Sequence, residues 1–358
     1  MTVHNQSDVV VSPSTSITNR SDADAATLDP KQLMRDLIAF RDPKIARSMW
    51  ELAITLLPFL AVFAGLLFAV QAGYYVALLL TPLAGLFLLR LFIIQHDCGH
   101  GAFLPSRAGN DWLGRAIGVF TLTPYDTWRR SHALHHAGTG NLDARGFGDV
   151  DTLTVREFRE RGAFKRFLYR LYRHPIVLLG IGPAYLFLLR HRLPIGLMKA
   201  GSIYWISAVA TNVVTGVILL GLVLQFGLGT TLIVFLPVLL MAASMGVWLF
   251  YIQHQFEDAY WDYADEWSFH DAALHGSTHL DLPLVLRWFT ANIGIHHVHH
   301  LASRIPFYRL PEVLKAHPGL YHVNRYTMRQ TIRPLVLTLW DEDQRKLVSF
   351  REAKKLKV

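Results

Sequence analysis

Residues 74–100 read YYVALLLTPLAGLFLLRLFIIQHDCGH, an apolar run closed by His96-Asp97-Cys98-Gly99-His100. Residues 74–94 carry a single charge, Arg90, and match the length of about 20 residues that crosses roughly 30 Å of hydrocarbon. Three further windows of that kind, 50–70, 203–224 and 230–252, lie on either side. With 52% of its 358 residues hydrophobic and only 17% charged, the chain is too apolar for a soluble protein of this size. The joints 71–73 and 225–229 are too short to hold a domain and carry no charge, so the windows pair into two hairpins. The expected fold is all-α and integral to the membrane: four transmembrane helices in two hairpins beneath a cytoplasmic helical cap.

All 35 Lys and Arg residues lie outside the two joints. The positive-inside rule therefore places the N-terminal, central and C-terminal segments, with both termini, in the cytoplasm. The net charge of +8 reads as orientation and attraction to anionic lipid. No basic, aromatic-interleaved pattern argues for nucleic acid. The only cysteine, Cys98, permits no intramolecular disulfide and suits a reducing compartment.

Residues 1–28 are rich in Ser, Thr, Asn and Asp and read as a disordered tail; residues 29–358 read as one membrane domain. Asp29-Pro30 opens an interfacial helix in which Leu33, Met34, Leu37 and Ile38 recur at helical spacing. Residues 155–173 interleave Phe158, Phe164, Phe167, Leu168 and Leu171 with charge, which predicts a basic amphipathic helix on the membrane surface. The apolar stretch 176–189 is too short to span and reads as re-entrant or buried. No repeat and no β-rich region is evident.

The chain has 18 histidines, none inside the four windows. Two more clusters join the one that closes residues 74–100: His132-Ala133-Leu134-His135-His136 and His296-His297-Val298-His299-His300, with His254 just after the last window. At this histidine content an H-x-x-H-H pattern is expected about 0.04 times per chain. It occurs twice. Helical spacing puts i and i+4 on one face, so His96 and His100 can grip one metal, and all three imidazoles of each H-x-x-H-H are expected to converge. Neutral imidazole suits iron, copper, zinc and nickel. The candidate ligands His96, His100, His132, His135, His136, His254, His296, His299 and His300 exceed the four that zinc takes, so two metals of higher coordination number fit better. Ligating imidazoles usually hand their second N–H to a carboxylate or carbonyl, and Asp97, Asp149, Asp151, Glu257 and Asp258 are close enough in sequence to serve. Isolated histidines such as His191 read as ordinary surface residues.

These motifs resemble the membrane fatty acid desaturase family, whose hallmark is three boxes of the type HxxxH, HxxHH and HxxHH around two hairpins. The resemblance covers residues 91–318, and the HDCGH form and the Asn292-Ile293-Gly294 lead-in look like the acyl-lipid Δ12/ω3 branch. It implies that the eight box histidines and His254 hold two iron ions. His297, an extra histidine within the third box, and His275 and His279 at HxxxH spacing are expected behind the ligands. Acyl-CoA members add an asparagine one turn before the histidine that His254 resembles; Phe250 stands there, so no tenth ligand is assigned. The implied activity is O2-dependent formation of a cis double bond in an acyl chain. His317-Pro318-Gly319-Leu320 lacks the second glycine of a cytochrome b5 haem motif, so a separate ferredoxin or cytochrome b5 donor is expected, steered by the basic surface. The expected location is a bacterial inner membrane.

Rival readings weigh less. A hydroxylase or ketolase on the same scaffold shares the histidine spacing, and product identity separates them. A zinc protease is a poor fit because Asp97 is one methylene shorter than the usual glutamate base and six box histidines would be idle. A metal transporter would place ligands within its spans, which hold no His and no acid beyond Glu51 at one end.

Overall fold

The computed structural model describes residues 30–146 and 148–356, so the expected tail over 1–28, with Asp29, lies outside the described residues. After α1 (Pro30–Ile38), the apolar windows form α2 (Ile45–Gln71), a 3-10 turn (Tyr75–Leu80) leading into α3 (Thr81–His100), and much later one long segment. α3 is the inner helix: 56% of its apolar window is buried against the rest of the protein, compared with 28% and 33% for the other two long segments. It runs through the first box and stops at Gly101, whose φ of 67° lets the N–H groups of Gly101 and Ala102 return to the carbonyls of Cys98 and Asp97. His96 and His100 therefore stand on its last turns.

Arg90, buried in α3, pairs with Glu51 of α2 and donates to Thr55 Oγ1 (3.1 Å) and to the Trp288 carbonyl. Its guanidinium lies 4.1 Å above the Trp288 ring. The second box lies on α5 (Tyr125–Gly138), reached through α4 (Arg107–Phe120).

Residues 155–173 do not form the single helix expected. α6 (Val155–Glu160) is opened by a Thr154/Glu157 capping box and ends where Arg161 turns extended; α7 (Ala163–Tyr172) follows. Phe158 turns inward, whereas Phe164, Phe167, Leu168 and Leu171 of α7 stay exposed, so only the second half carries the expected apolar outer face. A 60° bend separates α7 from the helical residues 177–192, where the short apolar stretch was predicted.

α8 (Ser202–His254) is 53 residues long and is broken at Gly227, whose φ is 77°. Both of its ends lie beside α5: the Asp126 N–H donates to Ser207 Oγ (3.1 Å), and His254 meets His135 at 3.2 Å. A straight helix of this length would span about 80 Å. The chain therefore reverses at Gly227, beside the α2–α3 joint, where Thr230 reaches Gln71 (3.3 Å) and Phe226 packs on Phe68 (5.1 Å).

The third box stands on α9 (His296–Leu301). The cap is not wholly helical. Leu153–Thr154 pairs in parallel with Leu337–Asp341, which pairs antiparallel with Lys346–Ser349, and His279–Asp281 pairs with Arg325–Thr327. Strands of two to five residues leave no alternating run long enough to read from sequence.

Candidate metal centre

The nine candidate ligands come together, but as two groups. His96, His100, His132, His136 and His299 form one, and His135, His254, His296 and His300 the other; within each, one nitrogen per ring lies within 4.8 Å of the rest. The three imidazoles of an H-x-x-H-H box therefore do not converge as spacing suggested. On a helix, i and i+4 differ by about 40° in direction, while i+3 points about 60° the other way. Each box consequently splits its pair from its single residue. The second box sends His132 and His136 to the first group and His135 to the second, while the third sends His296 and His300 to the second group and His299 to the first. The groups interlock, with His136 and His300 stacked at 4.1 Å.

Within each group the Nε2 atoms face one another: His132 with His100 at 3.0 Å, His136 with His132 at 3.1 Å, His254 with His296 at 3.0 Å, and His300 with His296 at 3.2 Å. Burial holds His296, His299 and His300 well below the ordinary histidine pKa, which favours neutral rings with a lone pair to offer. Lone pairs aimed at one another repel unless a cation lies between them. Ligands at right angles around an ion bound about 2.0–2.1 Å from each nitrogen stand roughly 3 Å apart. The donor set fits two metal ions on spacing and on chemistry.

The Nδ1 atoms explain the orientation. His135 Nδ1 bonds Asp149, His254 Nδ1 bonds the Gly276 carbonyl (3.2 Å), and His96 Nδ1 lies 3.3 Å from Asp97, whose other oxygen accepts the Phe307 N–H at 2.7 Å. Asp97 and Asp149 thus stand where the sequence suggested. The other expected partners do not. Asp151 is exposed and uses its backbone, accepting from Arg173 (3.0 Å) and Tyr169 (3.3 Å); Glu257 faces Arg333 (3.6 Å), and Asp258 is exposed. Of the histidines expected behind the ligands, His279 and His297 pack on each other (5.6 Å) and bond the Tyr321 and Leu320 carbonyls, and His275 is exposed. His297 shares α9 with His296, but i+1 differs from i by about 100° in direction, which brings it to His279.

An apolar cavity of about 440 Å³ reaches both groups, with His96 and His132 of the first and His296 of the second in its wall. One face of α8 lines it from Leu239 through Ala242, Ala243, Gly246 and Phe250 to Gln253, about 21 Å of helix. Sequence reading missed this cavity because its walls come from several distant segments. It also missed His191, which lines the wall and packs on Phe187 at 5.0 Å. The small residues Ala242, Ala243 and Gly246 on one helical face were the available signal.

Helices of membrane-crossing length, capped by two histidine groups that open onto an apolar cavity, define a membrane protein of the histidine-box class. The fatty acid desaturase family profile matches residues 72–331, and the chain belongs to that family of oxidoreductases. It is 39% identical over 328 residues to a fatty acid desaturase of Bacillus subtilis (strain 168), covering 92% of this chain and 93% of that one. An sn-1 acyl-lipid omega-3 desaturase (ferredoxin) of Nostoc sp. is 30% identical over 290 residues, 77% of each chain. An sn-1 oleoyl-lipid 12-desaturase of Synechocystis sp. is 25% identical over 268 residues, 75% of each.

Proposed function

We propose that this protein is an acyl-lipid desaturase of the Δ12/ω6 type, introducing a cis double bond into an acyl chain of a membrane lipid. The observation that carries this is the apolar cavity of about 440 Å³ with histidines of both groups in its wall. Two iron ions held by the nine histidines would supply, with O2 and two electrons from a separate ferredoxin- or cytochrome b5-type donor, the oxidising power to take two hydrogens from adjacent methylenes.

The chain's own residues do the rest. Leu239, Ala242, Ala243 and Gly246 leave a slot for unbranched hydrocarbon, Leu88, Leu89 and Phe92 close it against water, and His96, His132 and His296 bring the metal positions to its wall. Asp149 and the Gly276 carbonyl keep the Nδ1 protons of His135 and His254, so that Nε2 stays free to ligate.

The topology that supports this has α2, the 75–100 segment and the two arms of α8 crossing the bilayer, with the histidine cap and both termini on the cytoplasmic side of a bacterial inner membrane. Cysteine placed at Ala72 should react with an impermeant thiol reagent in intact cells, whereas one placed at Ser349 should not; labelling at Ser349 overturns the topology. Expression in a host without polyunsaturated fatty acids, followed by chromatography and double-bond location of the methyl esters, tests the activity. A new diene supports it, and a hydroxylated or oxo product would assign the chain to the hydroxylase or ketolase branch instead.

A further inference from the structure

Arg173 is 1% exposed and, among the described residues, forms no ion pair. Its Nη1 donates to the Asp151 carbonyl (3.0 Å), Thr152 Oγ1 (3.1 Å) and the Tyr169 hydroxyl (3.2 Å). Its Nη2 donates to the Tyr251 hydroxyl (3.2 Å), Gln255 Oε1 (2.8 Å) and the Leu337 carbonyl (3.1 Å). A buried cation with only neutral partners is costly, so a side chain that merely filled space would be apolar.

The six acceptors belong to particular places. Tyr251 and Gln255 flank His254 at the end of α8, where Gln255 is the first residue out of helical geometry. Asp151 and Thr152 follow Asp149, which holds His135 Nδ1, and Thr152 Oγ1 itself donates to Gln255 Oε1 (3.3 Å). Leu337 opens the strand that also pairs with Leu153–Thr154. One guanidinium therefore ties the helix end bearing one ligand of the second group to the loop that orients another. None of its six acceptors lies on α3, α5 or α9, the helices that carry the first group.

We propose that Arg173 is a positioning residue for the second histidine group, fixing His254 through Gln255 and His135 through the 149–152 loop. This rests on the two-metal reading above. A lysine has three donors on one point and cannot span acceptors spread over a planar fork, so Arg173→Lys should recover part of the effect and Arg173→Met none.

The test is the release of ferrous iron from the loaded, full-length protein to a colorimetric chelator. Wild type should release two ions per chain slowly; release of only one would sink the two-metal reading itself and is seen without any variant. In Arg173→Met one of the two ions should leave about 10- to 100-fold faster while the other keeps the wild-type rate. Gln255→Leu, which leaves Arg173 in place, should accelerate the same ion and carries the test if Arg173→Met fails to fold. Two ions released at wild-type rates, or both accelerated equally, would overturn the proposal and leave Arg173 a structural residue only.

Discussion

The two histidine groups are made from the same three boxes, yet they are held differently. The first has five histidines, of which His100, His132 and His136 are only half-buried. The second has four, all buried, with His135 and His254 locked by Asp149 and the Gly276 carbonyl. The first group has one such partner, Asp97 beside His96 Nδ1 (3.3 Å), for five ligands; the second has two for four. Because each H-x-x-H-H box serves both groups, neither site can form without the other's helices in place.

The largest effects should come from the ligands and would show whether the groups act as a unit. His100→Ala or His299→Ala in the first group and His135→Ala in the second should each abolish product while the protein still inserts, read by product chromatography and membrane fractionation. Full activity in any of them would break the interlocked account. Next, Asp149→Asn should weaken iron retention in the second group by about 10- to 100-fold, with less effect on the first, read by iron release to a chelator. Equal loss from both would erase the distinction between the groups.

A smaller effect should follow from narrowing the cavity without touching either group. Ala243→Phe should keep the full iron content but lower turnover on long chains more than on short ones, measured with acyl chains of graded length. Smallest of all should be His191→Ala: it lines the cavity but belongs to neither group, so iron content should be unchanged and turnover reduced only slightly. A loss as deep as that of His135→Ala would show that the ligand set is wrongly drawn.

Much of this was legible in sequence. The apolar windows and the reversal near Gly227 follow from hydropathy and from a short uncharged joint, and the nine histidines that cluster are the eight that spacing selected and His254, singled out by its place after the last window. The Asn292-Ile293-Gly294 lead-in also has a plain cause: a Cβ on Gly294 would lie 2.5 Å from the Leu280 carbonyl, where the backbones bond. Sequence could not assign histidines to groups, because that depends on helical phase and on which helix faces which. It could not separate Asp149 from Asp151, two residues apart on a loop, since backbone direction decides which carboxylate turns inward. The break at Arg161 had a local signal in Gly162, the residue that caps α7, whereas the short strands of the cap were hidden because tertiary pairing determines them.

The nine imidazoles, gathered in two groups, are proposed to hold two iron ions in one chain. Metal analysis of protein purified under iron-replete conditions tests this most directly. About two iron atoms per chain and little zinc are expected, since nine imidazoles in two groups exceed what a single ion accommodates; one zinc per chain and no iron would contradict this.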